Sequence, residues 1–157
     1  MKEHTYQVTV DWVGNTGEGT SSYTSYQRNF TAQALSKPVL EGSADPAFRG
    51  DASRWNPEDM LVASLSACHK LWYLHLCAVN AVNVLEYVDN AQGRMVEGDA
   101  HRKGHFTEVV LRPQIVVSAE SDVTLARQLH DTAHHECFLA NSVNFPVRCE
   151  PAIHRQG

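Results

Sequence analysis

Residues 56–77, NPEDMLVASLSACHKLWYLHLC, restrict the fold more than any other stretch of this chain. They read as one helix that is apolar almost all the way round. Asn56 can cap it, Pro57 suits the first helical position, and Glu58 and Asp59 favour the positive end of the dipole. Leu61, Leu65, Cys68, Trp72 and Leu76 recur at helical spacing, which puts Cys68 on the apolar stripe. Ala63, Ser64, Ser66 and Ala67 are small enough to let another helix approach closely. Such a helix must be central, with the rest of the chain arranged around it. A buried helix normally excludes a cluster such as Cys68, His69 and Lys70, so this cluster asks for a chemical explanation.

Around that helix the chain reads mostly as strands. TYQVTVDWV (5–13) alternates, with Tyr6, Val8, Val10 and Trp12 on one face of a half-buried strand. After a GNTGEGT turn, residues 21–35 supply one or two returning strands, and 36–57 form a long, functionally suggestive loop. Residues 83–96 and 105–119 look like two strands, Ser121 can cap a second helix, and NFPVRCEP (144–151) closes as an extended segment. The apolar positions of that second helix are Val123, Leu125, Leu129 and Ala133. Strands segregated from helices predict an α+β domain, and 157 residues suffice for one domain over 1–157.

Composition excludes several classes of function. The net charge is -5 and no Lys/Arg cluster offers a track for phosphates, so no nucleic-acid partner is expected. The N-terminus lacks the apolar core of a signal peptide. His69, Lys70 and His75 make residues 60–79 too polar for an ordinary membrane span. A cytoplasmic, reducing location follows, and there Cys68, Cys77, Cys137 and Cys149 are better candidates for redox or metal chemistry than for structural disulfides.

Two motifs turn this into a resemblance. NPEDMLVASLSACH (56–69) starts a helix with Asn-Pro-Glu and carries a cysteine ten positions after the glutamate. HHECFLANSVNFPV (134–147) carries a second cysteine at the expected distance downstream, followed by Asn-x-Pro-Val. With the order of elements, these resemble the OsmC/Ohr family of osmotically induced and organic hydroperoxide resistance proteins, over nearly the whole chain. The resemblance implies antiparallel strands packed on two central helices in an intertwined homodimer. It also implies a thiol peroxidase for organic hydroperoxides that needs no cofactor or metal, only an external dithiol or lipoylated electron donor. Carried over by position, Cys68 is the peroxidatic thiol, Cys137 the resolving one and Glu58 the assisting acid. Arg49 is the assisting arginine, with Arg28 and Arg54 as alternatives. Cys77 and Cys149 read as inert. His69 and Lys70 stand where many members carry apolar residues.

The residue types suit that chemistry. Only a thiolate attacks a peroxide oxygen, and an ordinary thiol with a pKa near ~8.5 is mostly protonated at neutral pH. An arginine favours the charged form, and a glutamate can hold the guanidinium in a bidentate pair. Ten residues of continuous helix rise roughly 15 Å, so Glu58 reaches Cys68 of its own chain only through a break in the helix. Otherwise a partner subunit supplies it, and a two-fold dimer is the expectation. Two other readings stay open. His130, His134, His135 and Cys137, with Cys68 and His69, could assemble a zinc site. A non-enzymatic dimer could instead hold an apolar small molecule in a pocket with inert thiols.

Overall fold

The computed structural model describes all residues, 1–157. The backbone groups into two compact units, Met1–Met60 and Leu61–Gly157.

The first unit holds an antiparallel three-stranded sheet in the order β1 (Thr9–Trp12), β2 (Phe30–Gln33), β3 (Leu40–Gly42). β3 lies in the stretch expected to be loop. It persists because the chain beyond it returns: Trp55 bridges Gly42, and the Ser43 N–H donates to the Trp55 carbonyl at 2.8 Å. The expectation for β1 was a half-buried strand, but every residue of it is exposed, with Val10 62% accessible. Ala32 is the only buried apolar side chain of residues 1–60, so this sheet has almost no core of its own.

α1 starts at Pro57 and runs without a break to Val79, and the second unit is built on it from Leu61 onward. Asn56 caps it as expected, its Oδ1 accepting from the Asp59 N–H at 2.8 Å. Ala81, in the left-handed region, closes it, and the Val82 N–H bonds back to the Cys77 carbonyl at 3.0 Å. The inward stripe is Leu65, His69, Tyr73 and Cys77, one residue every four. That stripe is rotated from the expected one, and Cys68 lies on its margin, half-buried.

Each expected strand of this unit is two strands. Residues 83–96 split into β4 (Val84–Asp89) and β5 (Gln92–Val96), and 105–119 into β6 (His105–Leu111) and β7 (Pro113–Val117). The second break falls at Arg112, beside a proline that cannot donate to a ladder. Asp89 fixes the crossing, accepting from the Arg112 N–H at 2.6 Å and from the Ser66 hydroxyl of α1 at 2.5 Å. The result is two sheets, β4-β7-β9 and β5-β6-β8, with β8 (Val147–Cys149) and β9 (Ala152–Arg155) as their third strands. β8 runs parallel to β6 and β9 parallel to β7, with α2 (Val123–Glu136) in the crossover. Each of these two sheets therefore joins one antiparallel and one parallel pair.

α2 is capped by Asp122, whose carboxylate accepts from the Thr124 and Leu125 N–H groups. The expected cap, Ser121, is instead buried and accepts from the Asn83 N–H at 3.0 Å. Two apolar clusters result. Leu65 packs with Val109, Leu111 and Val147 of one sheet. Tyr73 and Cys77 pack with Ile115, Val117, Ile153 and the inner face of α2 (Ala126, Leu129, Ala133). His69 sits where one cluster gives way to the other.

Leu65→Ala should lower the unfolding free energy by roughly 2–5 kcal/mol, because the site is closed on all sides. Asp122→Ala should cost about 1 kcal/mol through the lost cap. Urea denaturation followed by circular dichroism measures both; equal effects would mean that Leu65 is not closely packed.

Candidate active site

Cys68, on the flank of α1, and Cys137, at the C-cap of α2, are brought together as neighbours. They differ in access: Cys68 is half-buried, whereas Cys137 is 1% exposed. Burial, and then the Cys68 thiol beside it, push the Cys137 thiol up to about 11, and the Ala140 N–H pointing at its sulfur from 3.4 Å opposes this. Cys137 therefore keeps its proton at neutral pH. All four cysteines are free thiols. An aromatic wall stands beside the pair. Trp72, one turn beyond Cys68, meets Phe138, next to Cys137, edge-on at 5.6 Å between ring centroids. Phe138 is 69% exposed, and Leu71 beside Trp72 is exposed as well.

Glu58 is in the first turn of α1, half-buried and in no ion pair within the chain. The unbroken helix leaves no kink that could fold it back, so ten residues of helical rise, roughly 15 Å, separate it from Cys68. The three candidate arginines are distinct. Arg28 donates to the carbonyls of Tyr26 and Tyr23 at 2.7 and 2.8 Å and lies over both rings. Arg54 pairs with Glu41 at 3.5 Å and with Asp51 at 3.7 Å. Arg49 adopts a left-handed backbone and makes no ion pair; its guanidinium lies 5.7 Å from the Tyr23 ring centre. Among the three, Arg49 keeps its charge least committed.

The histidines assemble differently from the expected cluster. His134 and His135 are exposed at the end of α2 and stand outside the donor cluster, with Glu136 beside His135. His69 and His130 are instead buried together, with the Nε2 of His69 3.0 Å from the Nδ1 of His130. Their partner is not Cys137 but Cys149, expected to be inert, whose Sγ is 3.6 Å from the first nitrogen and 3.7 Å from the second. One signal of this is legible in the four-residue spacing of α1. His69 sits four residues after Leu65 and four before Tyr73, a buried phase for a polar residue. Burial pushes both imidazoles down, His69 to about 4 and His130 to about 3, so both are neutral at physiological pH. Burial also pushes the Cys149 thiol up to about 12, with the carboxylates of Asp89, Asp131 and Glu150 adding to it.

The model of the OsmC-like protein family matches residues 50–151, from the loop before α1 to the end of β8. This chain belongs to the OsmC-like family. An OsmC-like protein of unknown function from Vibrio cholerae is 31% identical and superposes with a TM-score of 0.87 over 96% of this chain and 100% of that one. An organic hydroperoxide resistance protein OsmC from Legionella pneumophila shares the fold at 15% identity (TM-score 0.70, 98% of each chain). So does the organic hydroperoxide resistance protein OhrB of Bacillus subtilis, at 16% identity (TM-score 0.66, 95% of this chain and 98% of that one). No curated protein matches the sequence. No helix is long and apolar enough to cross a membrane.

The buried imidazoles make a pH prediction. Unfolding frees them to bind protons below the ordinary histidine pKa of about 6.5, while the folded state resists until about 4 and below. The unfolded state then holds more protons, so stability should fall as pH drops from about 6.5 towards 4. Urea midpoints at pH 7, 6 and 5 should decline more steeply for the wild type than for His130→Gln. Parallel declines would assign the acid sensitivity to carboxylates alone.

Proposed function

We propose that this protein is a thiol-dependent peroxidase that reduces organic hydroperoxides, with Cys68 peroxidatic and Cys137 resolving. The observation that carries this reading is the pairing of an accessible thiol with a buried, protonated one. Family membership supports it.

In the first step the Cys68 thiolate attacks the terminal peroxide oxygen. The O–O bond breaks, the alkoxide leaves and takes up a proton as the alcohol, and Cys68 becomes a sulfenic acid. In the second step the Cys137 sulfur attacks the Cys68 sulfur. The S–OH bond breaks, the departing hydroxide takes the Cys137 proton, and water and a disulfide result. An external dithiol, free or lipoyl-bound, reopens the disulfide by exchange and is itself oxidised. The aromatic wall of Trp72 and Phe138 favours alkyl or aryl groups next to the peroxide.

Glu58 is the assisting acid in this reading, and Arg49 the arginine that favours the Cys68 thiolate. Because the helix is unbroken, Glu58 serves the Cys68 of a second subunit, and the active form is a homodimer. The exposed apolar residues of β1 in a unit with almost no core of its own support such an assembly.

Dithiol-driven turnover should be faster with cumene and tert-butyl hydroperoxides than with hydrogen peroxide. Cys68→Ser should abolish it. Cys137→Ser should consume one equivalent and stall as sulfenic or sulfinic acid, read by mass spectrometry. A reduced protein that consumes no peroxide at all would overturn the reading. Heterodimers of Glu58→Ala and Cys68→Ser chains, each inactive alone, should recover part of the activity, since one of their two sites is intact. A monomer under native conditions would overturn the assembly.

A further inference from the structure

Three elements that are far apart in sequence bring one donor atom each to a single point: α1 with His69, α2 with His130 and β8 with Cys149. The imidazoles are 1% and 2% exposed, and Cys149 is half-buried. The separations, 3.0 Å between the nitrogens and 3.6 and 3.7 Å from them to the sulfur, describe a triangle with a defined meaning. A tetrahedral zinc with bonds of about 2.05 Å to nitrogen and 2.3 Å to sulfur sets its ligands about 3.3 Å apart for N···N and about 3.6 Å for N···S. The triangle needs an adjustment of only about 0.3 Å along one edge to meet that geometry.

We propose that His69 Nε2, His130 Nδ1 and Cys149 Sγ form a binding site for one zinc ion, with the fourth position facing the half-exposed side of Cys149. A hydrogen bond is the alternative occupant of the triangle, and it serves the three atoms less well. One proton between the two rings satisfies one donor and one acceptor. It leaves the sulfur, 3.6 and 3.7 Å from the two nitrogens, only a weak thiol hydrogen bond to one of them. A cation among them bonds all three atoms at once. The carboxylates of Asp89, Asp131 and Glu150 are close enough to act on the Cys149 thiol, and their negative field favours a cation.

The ligands are also held in place. The His130 ring stacks on Tyr73 at 3.8 Å between centroids and 12° between planes, and the Tyr73 hydroxyl is tied to the Ala126 carbonyl at 3.1 Å. Such a shell fixes ring orientation before a metal arrives. Two imidazoles and one thiolate suit zinc, a borderline-soft ion, better than magnesium or calcium, which take oxygen ligands. The site uses neither Cys68 nor Cys137, so it stands or falls independently of peroxidase activity.

Cobalt(II) is the probe for the test. The full chain, free of any affinity tag, reduced and treated with chelator, is titrated anaerobically with cobalt and followed by absorption. One equivalent should bind with a thiolate-to-cobalt charge-transfer band that zinc then displaces. The band should disappear in Cys149→Ser. It should persist in Cys68→Ser, in Cys137→Ser and in a His134→Ala/His135→Ala double variant. No band in the wild type, or a band that survives Cys149→Ser, would overturn the proposal. A thermal measurement guards against a variant that folds poorly. Zinc should raise the melting temperature of the wild type and leave that of His130→Gln unchanged; an equal rise in both would overturn the site.

Discussion

The four-residue rhythm of Leu65, His69, Tyr73 and Cys77 on α1 governs the rest of the second unit. A helix that is apolar nearly all round can in principle be buried on any side, so its rotation is decided by what its inward stripe packs against. Here Leu65 takes one sheet, while Tyr73 and Cys77 take the other sheet and α2. With that rotation set, Cys68 must lie at the edge of the stripe, half-exposed, and it meets Cys137 where α2 ends. One helix thus presents a solvent-reachable thiol on its flank and a dry imidazole on its inward face, one residue apart in sequence.

That rotation is where the sequence was hardest to read. Leu61, Leu65, Cys68, Trp72 and Leu76 form a respectable stripe because cysteine and tryptophan count as apolar, while His69 counts as polar and is passed over. In the folded chain the imidazole is buried, neutral and held by its neighbours, which no scale of side-chain hydrophobicity conveys. The features set by local chemistry were legible: the Asn56 cap, the start of α1 at Pro57, the second helix, the α+β class and the two cysteine-bearing motifs of the family. Those that depend on distant partners were not. Ser121 and Asp122 are equally good caps locally, and the Asn83 N–H claims the serine. Cys149 looked inert because its companions are 80 and 19 residues away. The OsmC/Ohr resemblance was carried by two short stretches, and the family match over 50–151 rests on the part of the chain that contains them.

The buried polar groups follow different rules in different places. Asp89 is worth its partial burial because its two oxygens are each claimed, by the Ser66 hydroxyl and the Arg112 N–H, at the point where both long ribbons change sheet. Ser121 is satisfied in the same way. The imidazole pair is not, since the Nε2 of His130 has no partner. The Tyr87 hydroxyl and one Arg54 guanidinium nitrogen likewise have no partner, but only at the imidazole pair do three metal-ligating atoms meet.

The parallel placement of β8 and β9 has a consequence for how the chain comes to be made. Each supplies the last strand of a different sheet, and both lie within residues 147–155. Their partners β6 and β7 emerge from the ribosome about forty residues earlier, and at a few residues per second they wait for seconds with one edge bare. During that wait α1 has neither sheet complete beneath it, and its nearly all-apolar surface is open to other nascent chains. Only when β8 and β9 pair with β6 and β7 do both sheets close and that apolar surface become covered.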